Sequence, residues 1–379
     1  MKRVVVLGAA GSIGRQTIDV IRRSAERAHK LELVAFTVHT DGHTLQSLKR
    51  EFPLAKAGWT GSARDAPEGA EWTGPSALED LLSSTDADIA VNGIAGAAGL
   101  SASVLALRYG KDLALANKES IVMGYRLLKR LADARSRNII PVDSEHAGLF
   151  QLIRHIGASI ITDLTITASG GPFRTLPLDE LPHVTADDAC RHPVWKMGRK
   201  ISIDSATMAN KGLELIEASR LFGMPQQNIH VLIHPQSYVH AMVRTLDGAH
   251  FAHISKPDMR LPIHEALFWP QQETSPFGIA DLAGKALEFF EPEEERYPML
   301  WIARDAIDMG EAACIAYNAA NEIAVDSFDT GLLGFIRIAE LVSRVLERDW
   351  NLPIRSFEDI FDTDMKARAI TADFMGHLA

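Results

Sequence analysis

The chain has 379 residues, a formal net charge of −10, and 46% hydrophobic and 23% charged residues. This balance is ordinary for a globular protein and excludes wholesale disorder, and the length allows two or three domains. The excess of acidic residues argues against a nucleic-acid binder, and two cysteines are too few for a disulfide framework. No run reaches the roughly 18 apolar residues that span a bilayer, so we expect a cytoplasmic protein.

The first third of the chain alternates short aliphatic runs with helical patterns. Runs of this length and composition are typical of parallel strands that are buried on both faces. Strand–helix alternation over about 140 residues predicts a doubly wound parallel sheet with right-handed crossovers. The predicted strands are 4–7, 33–38, 88–92, 112–115 and 139–142.

The pattern changes after residue 142. Alternating residues at 160–169 predict a half-buried strand, and Asp247-Gly248 is typical of a hairpin turn between two further strands. The middle of the chain is therefore expected to be an α+β domain. Residues 170–200 have little regular patterning, which predicts a functional loop such as a lid. The remaining predicted strands are 229–233, 237–246 and 249–254.

The last part of the chain is predicted to be helical. Residues 270–298 are rich in Pro, Gly and acidic residues, which is typical of a linker. Helical patterns follow at 300–309, 314–328, 334–347 and 357–375. We therefore expect a dinucleotide-binding domain at 1–143, a catalytic domain at 144–269, a linker at 270–298 and a helical domain at 299–379.

A glycine-rich turn joins the first predicted strand to a helix. Gly8, Gly11 and Gly14 would permit a tight turn, close approach of a pyrophosphate, and close helix–strand packing. In this context they predict nucleotide binding. The second strand ends near His39 and Asp41 without Arg or Lys, so Asp41 favours the unphosphorylated cofactor while the signal stays ambiguous.

Two carboxylates follow the fifth predicted strand. Asp143 and Glu145 lie at the carboxyl end of the sheet, where α/β proteins bind ligands, and would point the same way if the segment were extended. Hard cations such as Mg²⁺ and Mn²⁺ prefer such oxygen ligands. A solvated loop with Ser144 as a helix N-cap explains the same residues. Lys118, after the preceding strand, could orient a substrate oxygen, or Asn117 could simply cap a helix there.

Residues 203–214 are dense in polar groups. With Asp204 or Ser205 as a helix cap, Asn210 and Lys211 would share one patch with Glu214. Ser205, Asn210 and Lys211 suit a phosphate, and Glu214 could be a third metal carboxylate. The alternative is an amphipathic helix with a surface Lys–Glu pair, which is common.

Ser169-Gly170-Gly171 ends a predicted strand where the backbone can approach an anion. In the loop that follows, His192 and Trp195 could cover a small substrate, or Trp195 could anchor the loop's own packing. The histidines match no helical zinc pattern, so zinc is not expected. Cys190 near His192 lacks a third orienting group, which argues against a nucleophile pair.

Eight motifs together resemble the 1-deoxy-D-xylulose 5-phosphate reductoisomerase family, and the resemblance covers nearly the whole chain. They are NKES at 117–120, DSEH at 143–146, ASGGPF at 168–173, MGRK at 197–200, DSATMANKGLE at 204–214, HPQS at 234–237, PDMR at 257–260 and NAANE at 318–322.

The resemblance implies a homodimeric enzyme of isoprenoid biosynthesis, inhibited by fosmidomycin, with a Rossmann-like first domain. It would rearrange 1-deoxy-D-xylulose 5-phosphate and reduce the product with NADPH to 2-C-methyl-D-erythritol 4-phosphate, using Mn²⁺, Mg²⁺ or Co²⁺. No nucleic-acid or membrane partner is implied.

The resemblance also assigns residues to roles. The implied metal ligands are Asp143, Glu145 and Glu214. The implied phosphate ligands are Ser169, Ser205, Asn210 and Lys211. The implied contacts to the rest of the substrate are Lys118, Ser144 and His192, with Trp195 and Met197 in the lid. The implied cofactor contacts are Gly8, Ala10, Gly11, Ser12, Ile13, His39, Asn117, Glu119 and Gly198.

One departure from the family concerns the cofactor. The family usually has a basic residue where this chain has His39-Thr40-Asp41, which predicts a weaker preference for NADPH over NADH than usual. Two other functions remain open: a metal-independent NAD(P)-dependent hydroxy-acid dehydrogenase, which would leave the three carboxylates idle, and a non-catalytic cofactor-sensing protein.

Overall fold

The computed structural model describes residues 1–24, 29–195 and 197–376. Within these residues the chain divides into two compact units. Unit 1 comprises Met1–Ser120, Leu128–Ala147 and Asp258–Gly278, and unit 2 comprises Ile121–Leu127, Gly148–Pro257 and the chain from Ile279 onwards. The domain boundaries expected near residues 143, 269 and 298 remain predictions.

Unit 1 is built on a parallel sheet. Its strands are β1 (Lys2–Leu7), β2 (Leu31–Val38), β3 (Lys56–Trp59), β4 (Trp72–Thr73), β5 (Ile89–Asn92), β6 (Asp112–Leu115) and β7 (Ile139–Pro141). They pair in the order β4-β3-β2-β1-β5-β6-β7, so the chain leaves β1 first toward one edge and later toward the other. A crevice therefore opens at the carboxyl ends beside β1.

The parallel sheet confirms the α/β fold predicted from the aliphatic runs. The strand β6 has the predicted bounds, and the others that were predicted differ by one or two residues at their ends. The strands β3 and β4 were not predicted. They have only four and two residues, and the sequence Lys56-Ala57-Gly58-Trp59 has no aliphatic run.

Unit 2 contains a mixed sheet in the order β11-β10-β8-β9. Its strands are β8 (Ile161–Ala168), β9 (Ile229–Ile233), β10 (Val239–Thr245) and β11 (His250–Ile254). Leu164 and Ile166 of β8 are fully buried in a core with Leu215 and Val243. The hairpin predicted at Asp247-Gly248 is confirmed, since the Gly248 amide donates to the Thr245 carbonyl at 2.8 Å.

Fourteen α-helices lie in the described residues. In chain order they are α1 (Ser12–Ser24), α2 (Gly42–Glu51), α3 (Ala77–Ser84), α4 (Ala98–Arg108), α5 (Lys118–Ala134), α6 (Ser144–Ile156), α7 (Ala186–Ala189), α8 (Arg199–Ala206), α9 (Ala209–Phe222), α10 (Arg260–Phe268), α11 (Pro298–Met309), α12 (Glu311–Asp329), α13 (Arg337–Leu346) and α14 (Phe357–Met375). Among these residues, no helix combines the length and apolarity that crossing a bilayer requires.

The helix expected to begin at Asp204 or Ser205 is a wrong prediction. Both residues lie near the end of α8, and α9 begins only at Ala209. Between the two helices Met208 adopts a left-handed conformation with φ of 63°. The Thr207 hydroxyl accepts a hydrogen bond from the Ala209 amide at 3.2 Å, which helps to satisfy the backbone at the start of α9.

We expect Gly14→Ala to lower the free energy of unfolding by about 1–3 kcal/mol, because overpacking against a rigid backbone has this cost. A Cβ atom at Gly14 would lie 2.3 Å from the Gly8 carbonyl oxygen. Gly42→Ala in the same unit is the control, because its Cβ would make an ordinary 3.4 Å contact with Pro67. Urea unfolding that gives both variants the same stability would contradict this packing argument.

Candidate active site

The glycine turn in unit 1 has the geometry of a nucleotide cradle. Gly8 has φ of +81°, which favours glycine, and its amide donates to the Thr37 hydroxyl at 3.0 Å. Gly11 and Ser12 are exposed, while Ala10 and Ile13 are half-buried. An exposed backbone at a strand-to-helix turn leaves room for a pyrophosphate beside the N-terminus of α1.

Asn117 and Glu119 lie at the same carboxyl edge of the sheet, after β6. Asn117 is the N-cap of α5 and accepts from the Ser120 amide at 3.0 Å, as one of the two sequence interpretations predicts. Its amide group donates to the Gly96 carbonyl at 2.9 Å and to the Glu119 carboxylate at 2.7 Å. Both residues are therefore structural supports of the loop after β5, and this role is compatible with a cofactor contact.

Lys118 and Asp143 meet at the carboxyl ends of β6 and β7. The Lys118 Nζ atom lies 2.6 Å from Asp143 Oδ2, and the two side chains are only 7% and 11% exposed. The other oxygen, Asp143 Oδ1, is 3.1 Å from Nδ1 of the fully buried His146. Two partners thus fix the orientation of this carboxylate.

The extended geometry considered for Asp143 and Glu145 is wrong. The helix α6 begins at Ser144, so Glu145 lies in its first turn, and its amide donates to Asp143 Oδ1 at 3.3 Å. Asp143 therefore helps to satisfy the start of this helix. The Ser144 hydroxyl donates to the Glu145 carboxylate. His146 was not predicted as a site residue, although it belongs to the DSEH motif.

In unit 2 the polar cluster on α9 is buried. Lys211 forms an ion pair with Glu214, and the side chains are 4% and 2% exposed. The Asn210 amide donates to the other Glu214 oxygen at 2.6 Å. The surface Lys–Glu pair considered as the alternative is therefore wrong. The predicted proximity of Asn210 and Lys211 to Glu214 is confirmed, because all three lie in one helix despite the later start of α9.

Ser169 and His192 are also in contact within unit 2. The Val194 and Trp195 amides donate to His192 Nδ1 at 3.2 and 2.9 Å, so Nδ1 is an acceptor and the proton of the neutral ring is on Nε2. That Nε2–H donates to the Ser169 oxygen at 2.9 Å, and the Gly171 amide donates to the same oxygen at 3.1 Å. Both acceptor positions of Ser169 are therefore used, which leaves its hydroxyl proton for a ligand.

Gly171 brings this serine close to Ser205. The residue has φ of +67°, and a Cβ atom there would lie 2.9 Å from the Ser205 carbonyl oxygen. The preceding carbonyl, that of Gly170, accepts from the buried Tyr297 hydroxyl at 2.8 Å. Two hydroxyl groups expected to bind phosphate thus lie on backbone segments that pack directly together.

One buried contact in unit 2 was not predicted from the sequence. Asp204 is 2% exposed and accepts from Lys200 Nζ and from Asn321 Nδ2, each at 2.8 Å. Asn321 belongs to the NAANE motif, which was quoted for the resemblance but given no role. Because Ser205 follows Asp204 directly, these contacts fix the end of α8 that carries it.

The remaining predicted residues lie in exposed or half-buried positions. Trp195 and Met197 are half-buried, and the Trp195 ring lies 6.2 Å from the ring of His240. Gly198 is exposed at the N-cap of α8. His39 is exposed after β2, with Nδ1 3.1 Å from the Thr60 hydroxyl. Lys196, within the predicted lid, lies outside the described residues.

The Nε2–H form of His192 can be tested by long-range ¹H–¹⁵N NMR, with His192→Asn to assign the signals. Burial lowers the pKa of His192 from 6.5 to about 4, so we expect a neutral ring at pH 6. Stability linked to this group is fully present above about pH 6.5 and decreases as the pH falls toward 4. A charged ring at pH 6, or a proton on Nδ1, would contradict the inferred hydrogen bond to Ser169.

Sequence comparison with known families matches three segments of the chain. Residues 4–124 match the family model for 1-deoxy-D-xylulose 5-phosphate reductoisomerase. Residues 139–222 match the model for the C-terminal domain of that enzyme, and residues 254–370 match a second model described as DXP reductoisomerase C-terminal domain.

Curated relatives and solved structures agree with these matches. The 1-deoxy-D-xylulose 5-phosphate reductoisomerase of Treponema denticola is 44% identical over 97% of this chain and 96% of its own length. That of Paraburkholderia phytofirmans is 43% identical over 100% and 96%. The structure of the Zymomonas mobilis enzyme in complex with NADPH has a TM-score of 0.89 and 39% identity, and covers 99% of each chain.

A further solved structure, a DOX-P reductoisomerase in complex with NADPH, fosmidomycin and magnesium, has a TM-score of 0.90 and 34% identity, and covers 99% of this chain and 98% of its own. The matched segments, the identity and the coverage lead to one conclusion. This chain belongs to the 1-deoxy-D-xylulose 5-phosphate reductoisomerase family.

Proposed function

We propose that this chain catalyses the metal-dependent rearrangement of 1-deoxy-D-xylulose 5-phosphate and its NADPH-dependent reduction to 2-C-methyl-D-erythritol 4-phosphate. The observation that carries the proposal is the Ser169 hydroxyl, which has both acceptor positions filled and can only donate onward. Such a group suits a phosphate, which offers only acceptors when fully ionised. Ser205, Asn210 and Lys211 are proposed to bind the same phosphate.

The proposed metal ligands are Asp143, Glu145 and Glu214. All three are carboxylates, the donors that Mg²⁺ and Mn²⁺ prefer, and each already makes hydrogen bonds that orient it within its own unit. The donor set therefore fits a hard divalent cation, with Co²⁺ as a third candidate. When bound, such a cation polarises substrate oxygens and stabilises negative charge that develops on them.

The other proposed roles follow from charge and hydrogen-bonding capacity. Lys118 is a buried cation in contact with Asp143, and its positive charge and N–H groups suit a substrate oxygen. Ser144 and His192 are proposed to contact the remaining hydroxyl groups. Trp195 and Met197 lie in the long loop and are proposed to exclude water when a substrate is bound.

The cofactor is proposed to be NADPH, bound along the glycine turn. The turn is exposed at Gly11 and Ser12, which leaves room for the pyrophosphate beside the N-terminus of α1. Ala10, Ile13, Asn117 and Glu119 lie on the carboxyl side of the same sheet, with Gly198 as the contact proposed from unit 2.

The function is tested by following NADPH oxidation with 1-deoxy-D-xylulose 5-phosphate, with and without Mn²⁺ or Mg²⁺. We expect turnover that requires the metal. Turnover of a hydroxy acid without metal would instead support the dehydrogenase, and cofactor binding without turnover of either substrate would support the sensor.

Variants of the carboxylates make this test specific. We expect Asp143→Asn to abolish turnover while the circular dichroism spectrum stays unchanged, because an Asn side chain can still accept from the Glu145 amide at the start of α6. Glu214→Gln should weaken Mn²⁺ binding in calorimetric titration by at least about 10- to 100-fold, the usual range for groups that merely support a ligand. Asp247→Asn on the exposed hairpin is the control, and equal affinities for both variants would remove Glu214 from the metal site.

We also propose a homodimer that acts in the cytoplasm. The strand β11 is an edge strand with exposed apolar residues: Phe251 is 44% exposed and Ile254 is 38% exposed. Exposed edges of this kind are commonly covered by a partner. Sedimentation equilibrium should give twice the mass of one chain, and a monomer at micromolar concentration would contradict the dimer. Cell fractionation would test the location.

A further inference from the structure

A basic side chain lies at the end of β2, although the residues that directly follow this strand include no Arg or Lys. Arg15 of α1 extends to the carboxyl end of β2, where its Nη2 atom is 3.5 Å from Asp41 Oδ2. The Arg15 side chain is 65% exposed, and Asp41 is 36% exposed. In dinucleotide-binding sheets, the residues after the second strand face the ribose that carries a 2′-phosphate in NADPH and a 2′-hydroxyl in NADH.

Asp41 caps a helix, whereas its position after β2 suggested contact with the ribose of an unphosphorylated cofactor. It is the N-cap of α2, with Oδ1 accepting from the Thr44 amide at 2.9 Å and Oδ2 accepting from the Thr44 hydroxyl at 2.6 Å. The Thr44 hydroxyl is the main reason that the pKa of Asp41 is lowered. Both oxygens of Asp41 are therefore used in capping, which weakens the case that this residue selects the unphosphorylated cofactor.

We propose that Arg15 binds the 2′-phosphate of NADPH and is the residue that determines the preference of this enzyme for the phosphorylated cofactor. The inference rests on the proposed function, since it assigns a part of the proposed cofactor site. A guanidinium has five N–H donors in a planar fork that matches phosphate oxygens. The single 3.5 Å contact with Asp41 uses one of them, so the others can bind a phosphate while Asp41 still caps α2.

The residues around Arg15 support this placement. His39 and Thr40 are both exposed after β2, so the region is open to a ligand rather than packed. An imidazole and a hydroxyl carry no permanent positive charge, whereas the guanidinium of Arg15 does. Residues 39–41 alone predict only a weak preference for NADPH over NADH. Binding of the 2′-phosphate by Arg15 predicts a stronger preference, so the ratio of the NADPH and NADH affinities distinguishes the two predictions.

The test measures the binding of NADPH and NADH by fluorescence titration, to the full-length enzyme without substrate or metal. We expect the wild type to prefer NADPH. Arg15→Gln should weaken NADPH binding by about 10- to 100-fold, the range for losing charge-assisted hydrogen bonds, and should change NADH binding by less than about twofold. Asp41→Asn, which removes a negative charge next to the phosphate, should strengthen NADPH binding.

The matched control is Arg22→Gln. Arg22 lies on the same helix, is 47% exposed and pairs with Glu51, so its loss should leave both affinities unchanged. Equal losses for NADPH and NADH in Arg15→Gln, or no loss for either, would overturn the assignment while leaving the proposed function intact. A wild type that binds neither nucleotide would overturn both.

Discussion

A charge that is shielded from water must have a partner, and this constraint applies in both units. Lys118 and Asp143 form such a pair in unit 1, and Lys211 and Glu214 form one in unit 2. Removing an ion from water has an effective cost of several kcal/mol, so each charge is tolerated only with a partner and further hydrogen bonds. In buried pairs of this kind, the cost of desolvation offsets much of the Coulombic attraction, so the pair adds little to net stability.

The surrounding contacts fix the orientation of these charged groups. Asp143 has one oxygen on Lys118 and the other near His146, while Glu214 divides its oxygens between Lys211 and Asn210. Side chains that are already ordered lose little rotational freedom when a ligand arrives, which increases affinity. Asp204 is ordered in the same way, since its two partners fix the end of α8.

Features with a strong local pattern could be predicted from the sequence, and features that depend on distant contacts could not. The helix α14 matches its prediction at both ends, because Ser356 and Asp359 form a capping box at its start. The break at Met208 has no such local signal, since Thr207-Met208-Ala209 would fit the interior of a helix. The burial of Lys211 and Glu214 likewise could not be predicted from the sequence, because Lys and Glu with the same spacing also occur on exposed helices. Arg15 and Asp41 are 26 residues apart, and only the pairing of β1 with β2 brings them together.

The hydrogen bonds around Ser169 have a consequence for the kind of molecule that unit 2 accepts. With two N–H groups directed at its oxygen, this hydroxyl would be left facing another proton if an ammonium group, which has no acceptor, occupied the same place. A donor meeting a donor gains no bond, and the cost of the lost hydration remains. In the proposed phosphate site, the Ser169 hydroxyl therefore favours groups that accept a hydrogen bond and disfavours cationic donors.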